Sequence, residues 1–410
     1  MYWKSLYPLA LALAVKAESS ASCSFDDATM TAAASISQLA SCPTLEGTLE
    51  ISGDGIGSLD LSSVEEIKGD VHIFNSSSAT DINLNQLGKI SGSLSIDALT
   101  QLHVIDFTKL SQIEDLSLIS LPSLSTINLN TGISKLGNLK VSDTALSDLS
   151  GLIGQITSVN QLDVDNNKNI TQLQLNNLQE VTEGLILSFN GDDCEISLNS
   201  LQYASNLTLQ DTGSISASNL SSVNGSLIIA YNKYDSFELP VEEVGGALQI
   251  FANDDLTDFS LGNLTKVGGE VRIFNNSELE DMSESFASLK SIKGAVNIEG
   301  SFSNLTMPDL EEVDGDFTVK TDNEDFDCKE FKKLQSSKKI EGHNFKCIAP
   351  EKNASVSGSA SLATETFDAS GSADDDEDEE SSSTKSDSGA GYLGSGIVAV
   401  FLTTLFSVLI

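Results

Sequence analysis

Basic residues are scarce in this chain. Its 410 residues include 22 Lys and Arg against 60 Asp and Glu, a formal charge of −38, and Arg272 is the one arginine. A surface of that sign repels phosphate backbones, so nucleic acid is excluded as a partner. Histidine is almost as rare, with three residues at His72, His103 and His343. No His-x-x-x-His, Cys-x-x-Cys or Gly-x-Ser-x-Gly phrase occurs, which leaves zinc-peptidase, dithiol and serine-hydrolase chemistry without its residues. The glycine pairs starting at Gly245 and Gly268 are not followed by the Gly-Lys-Ser/Thr context and helix that a phosphate loop needs. Carboxylates abound, yet Asp163, Asp165, Asp192, Asp193, Asp254 and Asp255 stand in Asn/Asp/Gly text that reads as turns. No catalytic residue, cofactor or metal site is therefore expected.

Cysteine is sparse, and its placement is informative. Cys23 and Cys42 flank the start of the repetitive region, Cys328 and Cys347 lie just past its end, and Cys194 is left over. Each outer pair closes a short loop where a repeat array exposes an open cross-section, so two capping disulfides, Cys23 to Cys42 and Cys328 to Cys347, are expected in an oxidising compartment. A buried free thiol is the reading for Cys194, with an intermolecular bridge as its competitor.

What fills the chain is repetition. The phrase Phe259 to Asn276 (F-x-L-x-x-L-x-x-V-x-G-x-V-x-I-F-N-N) returns as Leu59 to Ile73, Ile82 to Ile96, Leu173 to Leu187 and Leu305 to Val319. Anchoring each copy four places before its L-x-I pair gives Leu45, Ile67, Ile90, Ile113, Leu136, Val159, Val181, Tyr203, Val223, Val244, Val267, Ile292 and Val313. Steps of about 20 to 25 residues signal a solenoid. Apolar and polar residues alternate within each L-x-I piece, which predicts short strands buried on one face and paired in parallel from coil to coil. At a strand spacing of roughly 4.8 Å, thirteen such coils make a rod on the order of 60 Å long.

Asn75, Asn166, Asn190, Asn232, Asn253 and Asn275 follow the strands and suit a turn ladder. Beside them Phe74, Phe189, Phe251 and Phe274 read as packed corners, with a sugar-stacking stripe as the sharper alternative. The recurrent glycines, such as Gly69 and Gly269, mark a bend that a side chain would obstruct. Sequons fall at Asn75, Asn169, Asn206, Asn219, Asn224, Asn263, Asn275, Asn304 and Asn353. Four of them read Asn-Leu-Ser/Thr, which lets Leu point inward while Asn and the hydroxyl face solvent.

The flanks have different compositions. Residues 1–17 carry Lys4, the apolar run Leu6 to Val15 and Ala17, as a signal peptide requires. Residues 18–44 form an expected amino-terminal cap, with a helix over 26–39 started by Asp26 or Asp27. The solenoid follows over 45–325 and a carboxyl-terminal cap over 326–350. Residues 351–388 are Ser-rich and acidic, with the run Asp374 to Glu380, and read as a disordered stalk. Residues 389–410 end in an apolar run without a basic residue; small residues, a spacer and that tail match a GPI-attachment signal with Ser388 or Gly389 as acceptor.

This combination, and above all VGGALQIFAN (Val244 to Asn253) and VGGEVRIFNN (Val267 to Asn276), resembles the fungal GPI-anchored cell-wall organisation proteins with receptor L-domain-like, leucine-rich-repeat-like repeats. The resemblance covers nearly the whole chain. It implies a mostly β, parallel β-solenoid glycoprotein of the outer plasma-membrane face and wall. Such a protein is non-enzymatic and needed for wall integrity; the solenoid period and the GPI signal together make wall polysaccharides or mannoproteins its expected partners, with the membrane reached through the lipid. A sensor ectodomain for a soluble ligand and a wall-glucan-modifying enzyme are the alternatives.

Overall fold

Each apolar position of the repeat finds a place in a parallel β-solenoid of about 13 turns. The computed structural model describes residues 22–130 and 132–351. The signal peptide, the stalk, the Asn353 sequon and the GPI-attachment candidates Ser388 and Gly389 lie outside the described residues.

One coil shows why the sequence closes into a turn. In the strand Asp258–Ser260 only Phe259 points inward, and Leu261 follows it into the core. The amide of Leu264 donates to the Leu261 carbonyl at 2.9 Å, closing a tight turn that returns a second leucine inward. The strand Lys266–Val267 leads to the glycine bend, and Val271–Phe274 buries Val271 and Ile273 while Arg272 and Phe274 face out. Stacking the coils places these inward residues in unbroken files, which form one core from Ile36 to Ile340.

Among the described residues the L-x-I strands and the two-residue strands before the glycine bend build a 22-stranded sheet, and the remaining short strands form four small parallel sheets. Register is strict: Leu248, Val271, Val296 and Phe317 align, as do Ile250, Ile273, Ile298 and Val319. Twelve of the thirteen anchors are buried in the predicted phase. The exception is Tyr203, since Ala204 aligns with Val181 and Val223 and takes the inward place. The smaller side chain hides the true phase from a reading based on bulk apolar residues.

The bend glycines answer to neighbouring coils rather than to their own conformation. A Cβ on Gly69 would sit 1.9 Å from the Gly47 carbonyl oxygen, and one on Gly268 would sit 2.1 Å from that of Gly245. Backbones touch along this seam, so no side chain fits.

The ends differ from the expected layout. Asp26 and Asp27 start no helix; they lie in the strand Ser22–Met30, which pairs in parallel with Thr44–Ser52 and supplies the first rung. Edge pairing with the first coil overrides the local helical spacing, and the helical part is confined to Ala33–Ile36 and the 3-10 turn Ser37–Ser41. At the other end the helix Lys329–Ser336 buries Phe331 on the core, and Phe345–Ile348 adds a last rung against Phe317–Thr321. Disulfides Cys23–Cys42 and Cys328–Cys347 tie each terminal segment to its end of the rod.

Candidate functional site

The inward files fix what the opposite face of the large sheet must display, because successive side chains on a strand alternate. Two outward rows result. One runs through Asp163, Ile186, Thr208, Ile228, Gln249, Arg272, Asn297 and Thr318, and the other through Asp165, Ser188, Gln210, Ala230, Phe251, Phe274, Glu299 and Lys320.

After the second row most coils turn through a residue with positive φ. The series is Asn75, Ala98, Ser120, Asp143, Asn166, Phe189, Asp211, Tyr231, Ala252 and Asn275, with φ between 51° and 59°. The next residue points back inside, and there a buried amide ladder forms. Asn276 Oδ1 accepts from Asn253 N and Nδ2 at 3.0 Å each, and Asn253 Oδ1 accepts from Asn232 N and Nδ2 at 3.0 Å each. Asn232 Oδ1 in turn accepts from the amide and hydroxyl of Thr212 at 3.0 and 2.8 Å, and a second run links Thr144, Asn167 and Asn190. The expected Asn row is thus split. Asn190, Asn232 and Asn253 belong to the ladder, whereas Asn75, Asn166 and Asn275 occupy the left-handed corner one residue earlier.

The aromatic residues are not packed corners. Phe189 and Tyr231 are 45% and 49% exposed, while Phe74, Phe251 and Phe274 are half-buried on the outward row. Ring centroids are 6.2 Å apart for Phe189 and Tyr231, 5.6 Å for Tyr231 and Phe251, and 5.0 Å for Phe251 and Phe274, the last two rings being nearly parallel. The Arg272 guanidinium covers the Phe274 ring at 4.5 Å. Beyond it a groove of about 640 Å³ is lined by Arg272, Asn297, Glu299, Lys320 and Asp322. Sequence reading missed Tyr231, whose signal was its position immediately before ladder residue Asn232. At the other end of the sheet His72 stacks on Phe74 at 4.2 Å.

Midway along the face stands a charged cluster. Lys140 Nζ lies 2.5 Å from Asp163 Oδ2 and 3.8 Å from Asp165 Oδ1. These aspartates belong to the strand Ser158–Asp165 and are not turn residues, contrary to expectation. Burial, and then the charge of Asp163, pushes the Asp165 carboxyl above its ordinary value. Burial opposes the charge on Lys140, but its bond to Asp163 and the charges of both aspartates outweigh that and raise it. Among the described residues, no three His, Cys, Asp or Glu side chains converge as a metal site.

All eight sequon asparagines among the described residues are exposed. The middle residue is buried at seven of them, Gly225 after Asn224 being half-buried. Cys194 is fully buried, and burial, followed by the charge of Glu195, pushes its thiol up to about 11.

A disulfide-closed β-solenoid with exposed sequon asparagines around it and an aromatic stripe on its sheet has the architecture of an extracellular surface protein. A cell surface GPI-anchored protein, ECM33, of Candida albicans is 46% identical over 360 residues, covering 87% of this chain and 86% of the relative. The cell wall mannoprotein PST1 of Saccharomyces cerevisiae is 32% identical over 79% of this chain and 71% of its own, and protein ecm33 of Aspergillus fumigatus is 28% identical over 89% and 90%. The chain belongs to the ECM33 family of fungal GPI-anchored cell-surface proteins. It is accordingly a protein of the outer plasma-membrane face and cell wall. No family profile matches it, and no solved structure does.

Proposed function

We propose that the protein is a non-enzymatic scaffold of the wall, needed for its organisation and integrity, whose outward sheet contacts wall polysaccharides or mannoproteins. The carrying observation is the 46% identity to the Candida albicans surface protein over 87% of the chain, a span that takes in nearly the whole solenoid. Lipid attachment at Ser388 or Gly389 holds the rod outside the membrane, and glycans on the exposed sequons keep its other faces hydrated.

The test is complementation. In a Candida albicans strain lacking the 46% identical relative, the intact chain should restore growth on wall-perturbing dyes, while a version ending at residue 387 should be secreted and restore little. A strain rescued equally by both versions would overturn the anchored scaffold, and sugar released from purified glucan by the protein would overturn its non-enzymatic character.

A further inference from the structure

We propose that the ladder of Phe189, Tyr231, Phe251 and Phe274 is a binding site for a neutral, β-linked glucose polymer, laid along the solenoid axis. This deepens the scaffold reading above and rests on it.

The first support is the backbone. At the left-handed corner the other coils place Asn, Asp, Ser or Ala, small or amide-bearing residues that tolerate positive φ. Phe189 and Tyr231 adopt φ of 51° and 59° there. Bulky aromatic side chains are rare in that conformation, and such outliers gather at ligand sites. Nor does burial account for them, since both rings stand about half in solvent.

The second support is geometric. Phe251 and Phe274 cover one another's faces, at 5.0 Å and 6° between planes, so they form a stacked base. Tyr231 lies at 80° to Phe251 and at 43° to Phe189, so neither pair is stacked face to face, and both Tyr231 and Phe189 stand about half in solvent. Tyr231, Phe251 and Phe274 come from successive rungs, about 4.8 Å apart, close to the length of a pyranose ring, while Phe189 stands two rungs from Tyr231 with Asp211, paired to Lys233, at the corner between them. In β-linked glucose every hydroxyl lies at the ring edge, so both faces are flat C–H surfaces suited to aromatic stacking. Gln210 and Gln249 stand on the outward rows beside the rings and carry amides able to hydrogen-bond hydroxyls. The chain's charge of −38 disfavours anionic polymers.

The experiment uses the full, glycosylated chain in detergent and a β-1,3-linked glucose heptasaccharide as probe, with mannose and N-acetylglucosamine oligosaccharides as competitors. In the double variant Phe189→Asn, Tyr231→Asn each ring is replaced by the residue that other coils use at that corner. Affinity should fall at least about tenfold, the scale of one or two aromatic contacts, while Tm stays unchanged. Asn275→Gln, which removes the sugar acceptor next to Phe274, should leave affinity as it is.

Unchanged affinity in the double variant, or a lowered Tm with unchanged affinity, would make the rings structural and overturn the proposal. So would an absence of glucan binding by the parent chain, or competition by only the mannose or N-acetylglucosamine probe. The parent chain is also placed in the complementation strain. Failure of the parent chain to rescue sinks the scaffold reading itself, while the measured affinities of the parent chain and the double variant alone decide the aromatic site.

Discussion

At the scale of single residues, neighbouring asparagines do opposite work. Asn253 is fully buried; its oxygen accepts two bonds from Asn232 and its amide donates to the Ile229 carbonyl at 3.1 Å. Asn253→Ala strands those groups in the core, and each buried unsatisfied group costs about 1–3 kcal/mol. Denaturant unfolding should therefore show a loss of roughly 3 kcal/mol. Asn275 faces solvent in the left-handed corner, and Asn275→Ala should cost only about 1 kcal/mol, the price of positive φ for a residue with a Cβ. Equal losses would refute the ladder. The sequence made the presence of such a row legible but not its phase. In the Asn166-Asn167 and Asn275-Asn276 pairs both residues suit a turn, and only the position of the neighbouring coil decides which one enters the core. The same ambiguity hid the aromatic stripe: one residue of slip turns a packed corner into an exposed ring.

At the scale of the coil, the seam of glycines sets how closely rungs approach. A methyl group at Gly268 would overlap the Gly245 carbonyl oxygen, and backbone on both sides cannot yield as a side chain can. Gly268→Ala should destabilise by about 2 kcal/mol or more. Gly262→Ala is the matched control, because its nearest neighbour is the Ser260 hydroxyl at 3.5 Å and its φ is ordinary. That change should stay within about 0.5 kcal/mol. If thermal unfolding moves equally in both variants, the seam is not what spaces the coils. Periodicity made the inward files and the solenoid legible, since twelve anchors repeat one chemistry at one spacing. It failed where a coil replaces its bulky residue, as at Ala204, and at the ends, where no repeat exists to compare. Ser22–Met30 reads locally as a helix start and becomes a strand because the first coil offers it an unpaired edge. The helix Lys329–Ser336 went unread because its inward stripe is only two residues long, Phe331 and Leu334 one turn apart.

At the scale of the whole rod, each coil touches only its neighbours, so stability is local and the two ends are where it fails first. The carboxyl-terminal rung Phe345–Ile348 is an edge strand with Ile348 half exposed. It is held by the Cys328–Cys347 disulfide, which closes a loop of 19 residues, and by Asp316, whose carboxylate accepts from the Asn344 amide and side chain at 3.0 and 2.7 Å. A loop of that size contributes about 3 kcal/mol in the chain-entropy estimate. Replacing Cys328 and Cys347 by Ser should therefore release the last rung and the helix packed beside it without melting the middle. Hydrogen exchange should rise across 329–348 and decay toward Val296–Gly300, while the ladder amides of Asn232 and Asn253 keep their protection. Glucan affinity at Phe189 and Tyr231, several rungs away, should be unchanged. Uniform acceleration along the chain would instead describe a single cooperative unit, in which sealing the ends governs the aromatic face as well.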